Sequence, residues 1–171
     1  MTAIPIVHIL STGGTFEKVY GSGKGVRDFS FPKTSAAQEI ITRCSIPFVT
    51  ISYDHQDAMD SLDMMDHHRK GIVRWCQKQD TDRSVIIHGT DTMIKTGKYL
   101  ATHGLGKRHT VVLTGALQPA CVKGSDADLN LGSAIMVARI GPYGIFIVMN
   151  GMIFPWNLCK KNPKTGNFEA L

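Results

Sequence analysis

Residues 9–16 read ILSTGGTF, an apolar run that stops at two glycines set between threonines. The run from Ile4 to Leu10 is too short for a typical helix and reads as a buried strand. The Thr and Gly after it are turn formers. The same transition recurs at residues 86–93, IIHGTDTM, where strand Val85–His88 also meets glycine and hydroxyls. Working outward, the pattern predicts helix Ser35–Cys44, strand Pro47–Ser52, and helix Met65–Gln79 with Met65, Ile72, Val73 and Cys76 on one face. Helix Thr92–His103, strand Thr110–Thr114 and helix Ala127–Ile140, burying Leu131, Ile135 and Val137, come next. Strand Ile145–Met149 follows, closed by a turn at Asn150-Gly151, and the terminal KTGNFEAL reads as a small hairpin or strand. Residues 17–33, containing GSGKG and Pro32, read as a long mobile loop of the kind that serves as a lid.

Strands rich in Val, Ile and Leu alternate with helices. The expected fold is therefore α/β, an open and mostly parallel sheet with helices on both faces. A chain of 171 residues fits one domain, residues 1–171, with a substantial core.

The composition, 43% hydrophobic and 19% charged, is that of an ordinary soluble globular protein. No apolar run approaches the roughly 20 residues that span a bilayer, so no membrane partner is expected. The N-terminal MTAIPIVHIL lacks the basic region and cleavage site of a signal peptide, which places the expected location in the cytoplasm. Cys44, Cys76, Cys121 and Cys159 form no CxxC pair and read as reduced thiols. His67 and His68 are adjacent, so on a helix they point apart and suit a solvated face better than a metal. The net charge of +5 is spread without dense basic runs or interleaved aromatics, which argues against nucleic acid and leaves attraction of small anions.

In open α/β sheets ligands bind beyond the carboxyl ends of strands, where both hydroxyl-rich bends fall. If their strands are neighbours, Thr15, Thr90 and Asp91 converge on one crevice, with backbone N–H groups near Gly14 or Gly89 free to bind an oxyanion. Taken singly, Thr15 reads as a turn former and Asp91 as a helix cap, and the structural reading outweighs the functional one for each. GSGKG is not a phosphate-binding GxxxxGK[ST], and no dinucleotide fingerprint is present. A threonine nucleophile needs a group to take its proton; a lysine serves only if its pKa is lowered, and spacing does not say which lysine.

STGGTF followed by IIHGTDTM closely resembles the two signature segments of the bacterial-type L-asparaginases. DSLDMMD resembles that family's substrate loop, and LTGALQPACVKGSDADLNLGSAI its fourth strand, loop and helix. The match runs in order over nearly the whole chain. The resemblance implies a Rossmann- or flavodoxin-like N-terminal domain that hydrolyses L-asparagine to L-aspartate and ammonia without metal or organic cofactor. It implies Thr15 as nucleophile, and Thr90, Asp91 and Lys161 (Lys160 as fallback) as a second catalytic set. Ser61, Thr90 and Asp91 would hold the substrate, with Gly14 and Gly89 lining the site. Tyr20 is the choice for the lid tyrosine that assists the nucleophile. It further implies a homo-oligomer.

Leu62 stands where the family usually has glutamine. The sequence also stops at Leu171, where full-length members continue into a second domain that donates an acid to a neighbouring subunit, so it resembles a short, single-domain branch. Glu169 is a candidate replacement acid, set against a plain surface role. The competing functions are an amidase for another small amide such as glutamine, and a non-catalytic amino-acid-binding module.

Overall fold

A computed structural model describes residues 4–21 and 29–171. Most of GSGKG, residues 22–25, therefore lies outside the described residues, as does the start of the N-terminal segment.

The strands are β1 (Val7–Ser11), β2 (Val19–Tyr20), β3 (Phe29–Ser30), β4 (Val49–Tyr53), β5 (Arg83–Ile87), β6 (Thr110–Thr114), β7 (Gly144–Met149), β8 (Met152–Pro155), β9 (Cys159–Lys161) and β10 (Phe168–Ala170). The helices are α1 (Ala36–Arg43), α2 (Asp66–Lys78), α3 (Met93–Thr102) and α4 (Ala127–Ile140). Six strands form the main sheet in the order β4-β1-β5-β6-β7-β8. The first five are parallel and β8 is antiparallel to β7. The chain leaves β1 toward the β4 edge and returns to the other side of β1 at β5. The strand order thus reverses between β1 and β5, the switch point at which open sheets leave a crevice.

Alternation along the strands builds two cores. Val7, Ile9, Val85, Ile87 and Val112 pack with Ala37, Ile40 and Ile41 of α1 and Leu131, Ala134 and Ile135 of α4. Ile86, Val111, Leu113, Ile145 and Ile147 pack on the other side, with Ile72 and Cys76 of α2 and Leu100 of α3. The period-two pattern of β6 sends Val112 to one face and its neighbours to the other. Both faces being covered explains why these strands read as continuous apolar runs.

The differences from the sequence reading have local causes. Strand β1 starts at Val7, not Ile4, because pairing begins there with Val49; Ile4 and Ile6 stay exposed. Strand β4 starts after Phe48, whose φ of 56° is incompatible with extended backbone. The Asn150-Gly151 turn, with φ of 51° and 76°, has two left-handed residues suited to a tight hairpin. It leads into β8, a strand the sequence reading missed. Pro155 speaks against a strand, but β8 is the sheet edge, where proline is tolerated. The KTGNFEAL segment supplies β10, which pairs antiparallel with β9. All four cysteines are free. Among the described residues, no helix is long and apolar enough to cross a membrane.

Candidate active site

Three loops meet at the switch point because glycines let their backbones touch. Gly13 (φ 105°) bridges Met59, and a Cβ there would stand 2.5 Å from the Met59 backbone. Gly14, with φ 73°, lies against Gly89: an added Cβ would come within 2.6 Å of the Gly89 Cα. A Cβ on Gly89 would in turn meet the Ser61 Cβ at 2.6 Å. The bend after β1, the bend after β5 and the loop before α2 are therefore stacked in contact. Thr15 and Thr90 each follow one of the touching glycines.

Thr15 opens a single 3-10 turn, Thr15–Glu17, and is half-buried. No side-chain partner holds its hydroxyl among the described residues. Thr90 is nearly buried and accepts a hydrogen bond from the Lys161 ammonium at 2.8 Å. The same ammonium lies 2.6 Å from Asp91 Oδ1. Asp91 is thereby drawn to Lys161; α3 takes Thr92 as its N-cap position and has no side-chain cap.

The β9–β10 ribbon explains which lysine reaches Thr90. Lys161 sits opposite Phe168, and Lys160 opposite Glu169. Successive strand side chains point to opposite faces, so Lys160 and Glu169 stand together away from Thr90, 3.4 Å apart. The fallback lysine and the suggested replacement acid are thus both on the face of the ribbon away from Thr90.

The remaining expected residues are less simply placed. Ser61 is buried; its Oγ accepts from Thr92 N at 3.4 Å and its carbonyl from Thr92 Oγ1 at 2.8 Å. Leu62 beside it is 71% exposed. The Gly14 amide donates to Met59 O at 2.9 Å, so Gly14 shapes the crevice without offering a free N–H. The amides of Thr15, Gly89 and Thr90 have no backbone acceptor among the described residues. Tyr20 lies on the short β2–β3 ribbon opposite Phe29, 61% exposed, and no described hydrogen bond ties it to Thr15.

Two buried polar groups beneath the site escaped the sequence reading. Glu17 is fully buried, and its carboxyl accepts from Ser11 Oγ (2.7 Å), Ser35 Oγ (2.5 Å) and the Ala36 amide (2.7 Å). Burial nonetheless pushes its pKa above the ordinary value, with the two serines pulling the other way. His88 is also fully buried, and burial drives its pKa down to about 4. Lys18, one residue past Glu17, pairs with Asp60 at 2.7 Å. That ion pair joins the Thr15 turn to the Ser61 loop, and the Lys18 hydrogen bond helps to hold the Asp60 carboxyl below its usual range against the opposing effect of burial.

Among the described residues, no cluster of His, Cys, Asp and Glu has the form of a metal site. A cavity of about 680 Å³ lies beside α2, lined by Leu10, Thr12, Met59, Ile72 and Trp75 among others; neither Thr15 nor Thr90 borders it. The hydroxyl–ammonium–carboxylate set lies outside it.

The family model described as "Asparaginase, N-terminal" matches residues 6–171. A probable periplasmic L-asparaginase of Haemophilus influenzae is 30% identical over 88% of this chain and 44% of its own length. L-asparaginase 2 of Escherichia coli is 29% identical over the same shares. Among solved structures, L-asparaginase I of Vibrio cholerae superposes with a TM-score of 0.82 at 26% identity, covering 98% of this chain and 52% of that one. The chain spans about half the length of the relatives it matches.

Proposed function

The chain belongs to the asparaginase family, and from that premise we propose that it is an amidohydrolase converting L-asparagine to L-aspartate and ammonia with Thr15 as nucleophile. The observation that carries this reading is the Lys161 ammonium, 2.8 Å from Thr90 Oγ1 and 2.6 Å from Asp91 Oδ1, one glycine contact away from the Thr15 bend.

Thr15 Oγ attacks the side-chain amide carbon, with Tyr20 or another group of the adjoining segment assisting its deprotonation by relaying the proton toward the departing nitrogen. Backbone amides at the Gly89–Thr90 bend stabilise the oxyanion. The C–N bond then breaks, the nitrogen takes up a proton and leaves as ammonia, and an ester to Thr15 remains. Water, placed by the Thr90–Lys161–Asp91 set, hydrolyses the ester. Ser61 Oγ already accepts from Thr92 N–H, which leaves its own proton for the substrate carboxylate. Asp91 faces the substrate ammonium as well as Lys161.

A second reading is favoured by one feature. Leu62, 71% exposed at the lip of the Ser61 loop, offers no hydrogen bond to an amino-acid head group. That suits an amidase with a less polar or less charged substrate.

Ammonia release measured across asparagine, glutamine and simple amides separates the two readings. Asparagine turned over best is the expected result; equal or faster turnover of a simple amide favours the second. Thr15→Ala is expected to lower kcat roughly 10⁴-fold. A Thr15→Ala protein that keeps most of its turnover removes Thr15 from the nucleophile's role. Calorimetry that registers asparagine binding with no ammonia formed replaces both readings with a binding module.

A further inference from the structure

The Thr90 loop rests on a buried chain of hydrogen bonds that the proposed chemistry leaves unused. His88 Nδ1 lies 2.7 Å from its neighbour's carbonyl, Gly89 O. His88 Nε2 lies 2.8 Å from Thr96 Oγ1 and 3.1 Å from Met64 Sδ. A carbonyl oxygen only accepts, so Nδ1 carries the proton and Nε2 is the acceptor. The Thr96 hydroxyl therefore donates to Nε2, and its oxygen accepts Nε–H of the fully buried Arg69 at 3.0 Å. Arg69 is held in turn by Met64 O at 2.9 Å and by Asp66 at 3.1 Å. Its other nitrogen donates to Thr92 Oγ1 at 3.3 Å. Every ring atom that can bond does so, which a buried network requires if it is to rigidify its surroundings.

The carbonyl that His88 holds belongs to the peptide joining Gly89 to Thr90. A trans peptide is planar, with C=O and N–H pointing in opposite directions. Fixing the Gly89 oxygen toward buried His88 turns the Thr90 N–H the other way, out of the core. We propose that His88 is a positioning residue: it locks the Gly89–Thr90 peptide so that the Thr90 amide is presented, already oriented, to the oxygen of the scissile amide. The inference rests on the amidase reading of this site. It adds that turnover depends on a side chain that never touches substrate.

The test uses two substitutions that differ in where they put an N–H. His88→Asn carries its amide nitrogen close to the Nδ1 position, whereas His88→Gln reaches toward Nε2 and leaves Gly89 O unheld. His88→Asn is expected to keep kcat within about tenfold, and His88→Gln to lose roughly 10²-fold in kcat with little change in KM, as for a misplaced oxyanion donor. Equal losses in both, or a fully active His88→Gln, overturn the proposal in favour of a purely structural histidine.

The carbonyl ¹³C resonance of Gly89 supplies a readout that needs no turnover. It is expected to stay in place in His88→Asn and to move upfield in His88→Gln; an unmoved resonance in both overturns the proposal. Wild-type protein releasing no ammonia from any amide sinks the amidase reading alone, because the resonance still judges the hydrogen bond. Should His88→Gln fail to fold, Thr96→Val carries the test by freeing Nε2. Its expected signs are a lowered kcat and a shifted Gly89 resonance, and the absence of both refutes the relay.

Discussion

The two threonine bends of the crevice are built to opposite plans. Thr90 is nearly buried and pinned by Lys161, and the peptide before it is gripped by His88. The Thr15 bend is held mainly through backbone, by the Gly13–Met59 bridge and the Gly14 amide, and by Glu17 two residues on. Its hydroxyl has no described partner. A group that must attack, release a proton and later leave gains from an uncommitted hydroxyl. A group that places water or an oxyanion donor gains from being fixed beforehand. This asymmetry suits the roles proposed for Thr15 and Thr90, and three further perturbations test it.

The largest expected effect comes from breaking the fixed side. Lys161→Met keeps the length of the side chain but removes the ammonium shared by Thr90 and Asp91. A fall in kcat of about 10³-fold is expected, with little change in Tm because the β9–β10 pairing is a backbone matter. Steady-state kinetics beside a thermal melt check this. A rise in KM with kcat intact would make Lys161 a binding group and leave Thr90 no more specialised than Thr15.

The same asymmetry governs what could be read in the chain. STGGT and HGTDT are legible because hydroxyls and glycines interrupt otherwise apolar strands, and strands buried on both faces leave few alternatives for the fold. Lys161 is legible only through family resemblance, since it lies 70 residues from Asp91 and its aim depends on ribbon register. The supports are not legible at all. Arg69 sits within DHHRK, which reads as a solvated helix face, yet it is fully buried. Glu17 reads as a loop acid, and its three donors come from the end of β1 and the start of α1. His88 reads as the last residue of a strand. A buried polar group is recognised by its partners, and those are chosen by topology rather than by neighbouring sequence.

Titration offers a subtler comparison, because each bend is footed on one buried ionisable group. For His88, burial lowers the pKa from 6.5 to about 4, so the unfolded chain binds the extra proton between those values. The stability His88 contributes is fully present above pH 6.5 and is lost as pH falls through 4. The shift corresponds to about 3 kcal/mol. Urea unfolding of wild type and His88→Asn at pH 7 and pH 4 should show the wild type losing about that much more on acidification. Parallel loss in the two proteins would mean that the imidazole accepts its proton in place, with the Thr96 hydroxyl turned from Nε2 toward Met64 Sδ.

Glu17, on the opposite face of the sheet, should carry the reverse sign and the smallest effect. Its pKa is raised above 4.5, chiefly by burial, so here the native state binds the extra proton. Stability from this group is present below pH 4.5 and is lost as pH rises through the folded value. In Glu17→Gln the carbonyl oxygen can face the Ala36 amide while the new NH₂ donates to the Ser11 and Ser35 oxygens, both free to turn their protons elsewhere. The cost at pH 7 should therefore stay within about 1 kcal/mol, below that of an orphaned buried donor. On acidification the wild type should gain on the variant until pH 4.5, while His88 acts the other way over the same interval. If Glu17→Gln instead gains on the wild type as pH falls, the two serines and the first turn of α1 outweigh burial. Both bends would then stand on groups that acid loosens, and the contrast between them would reduce to the hydroxyls alone.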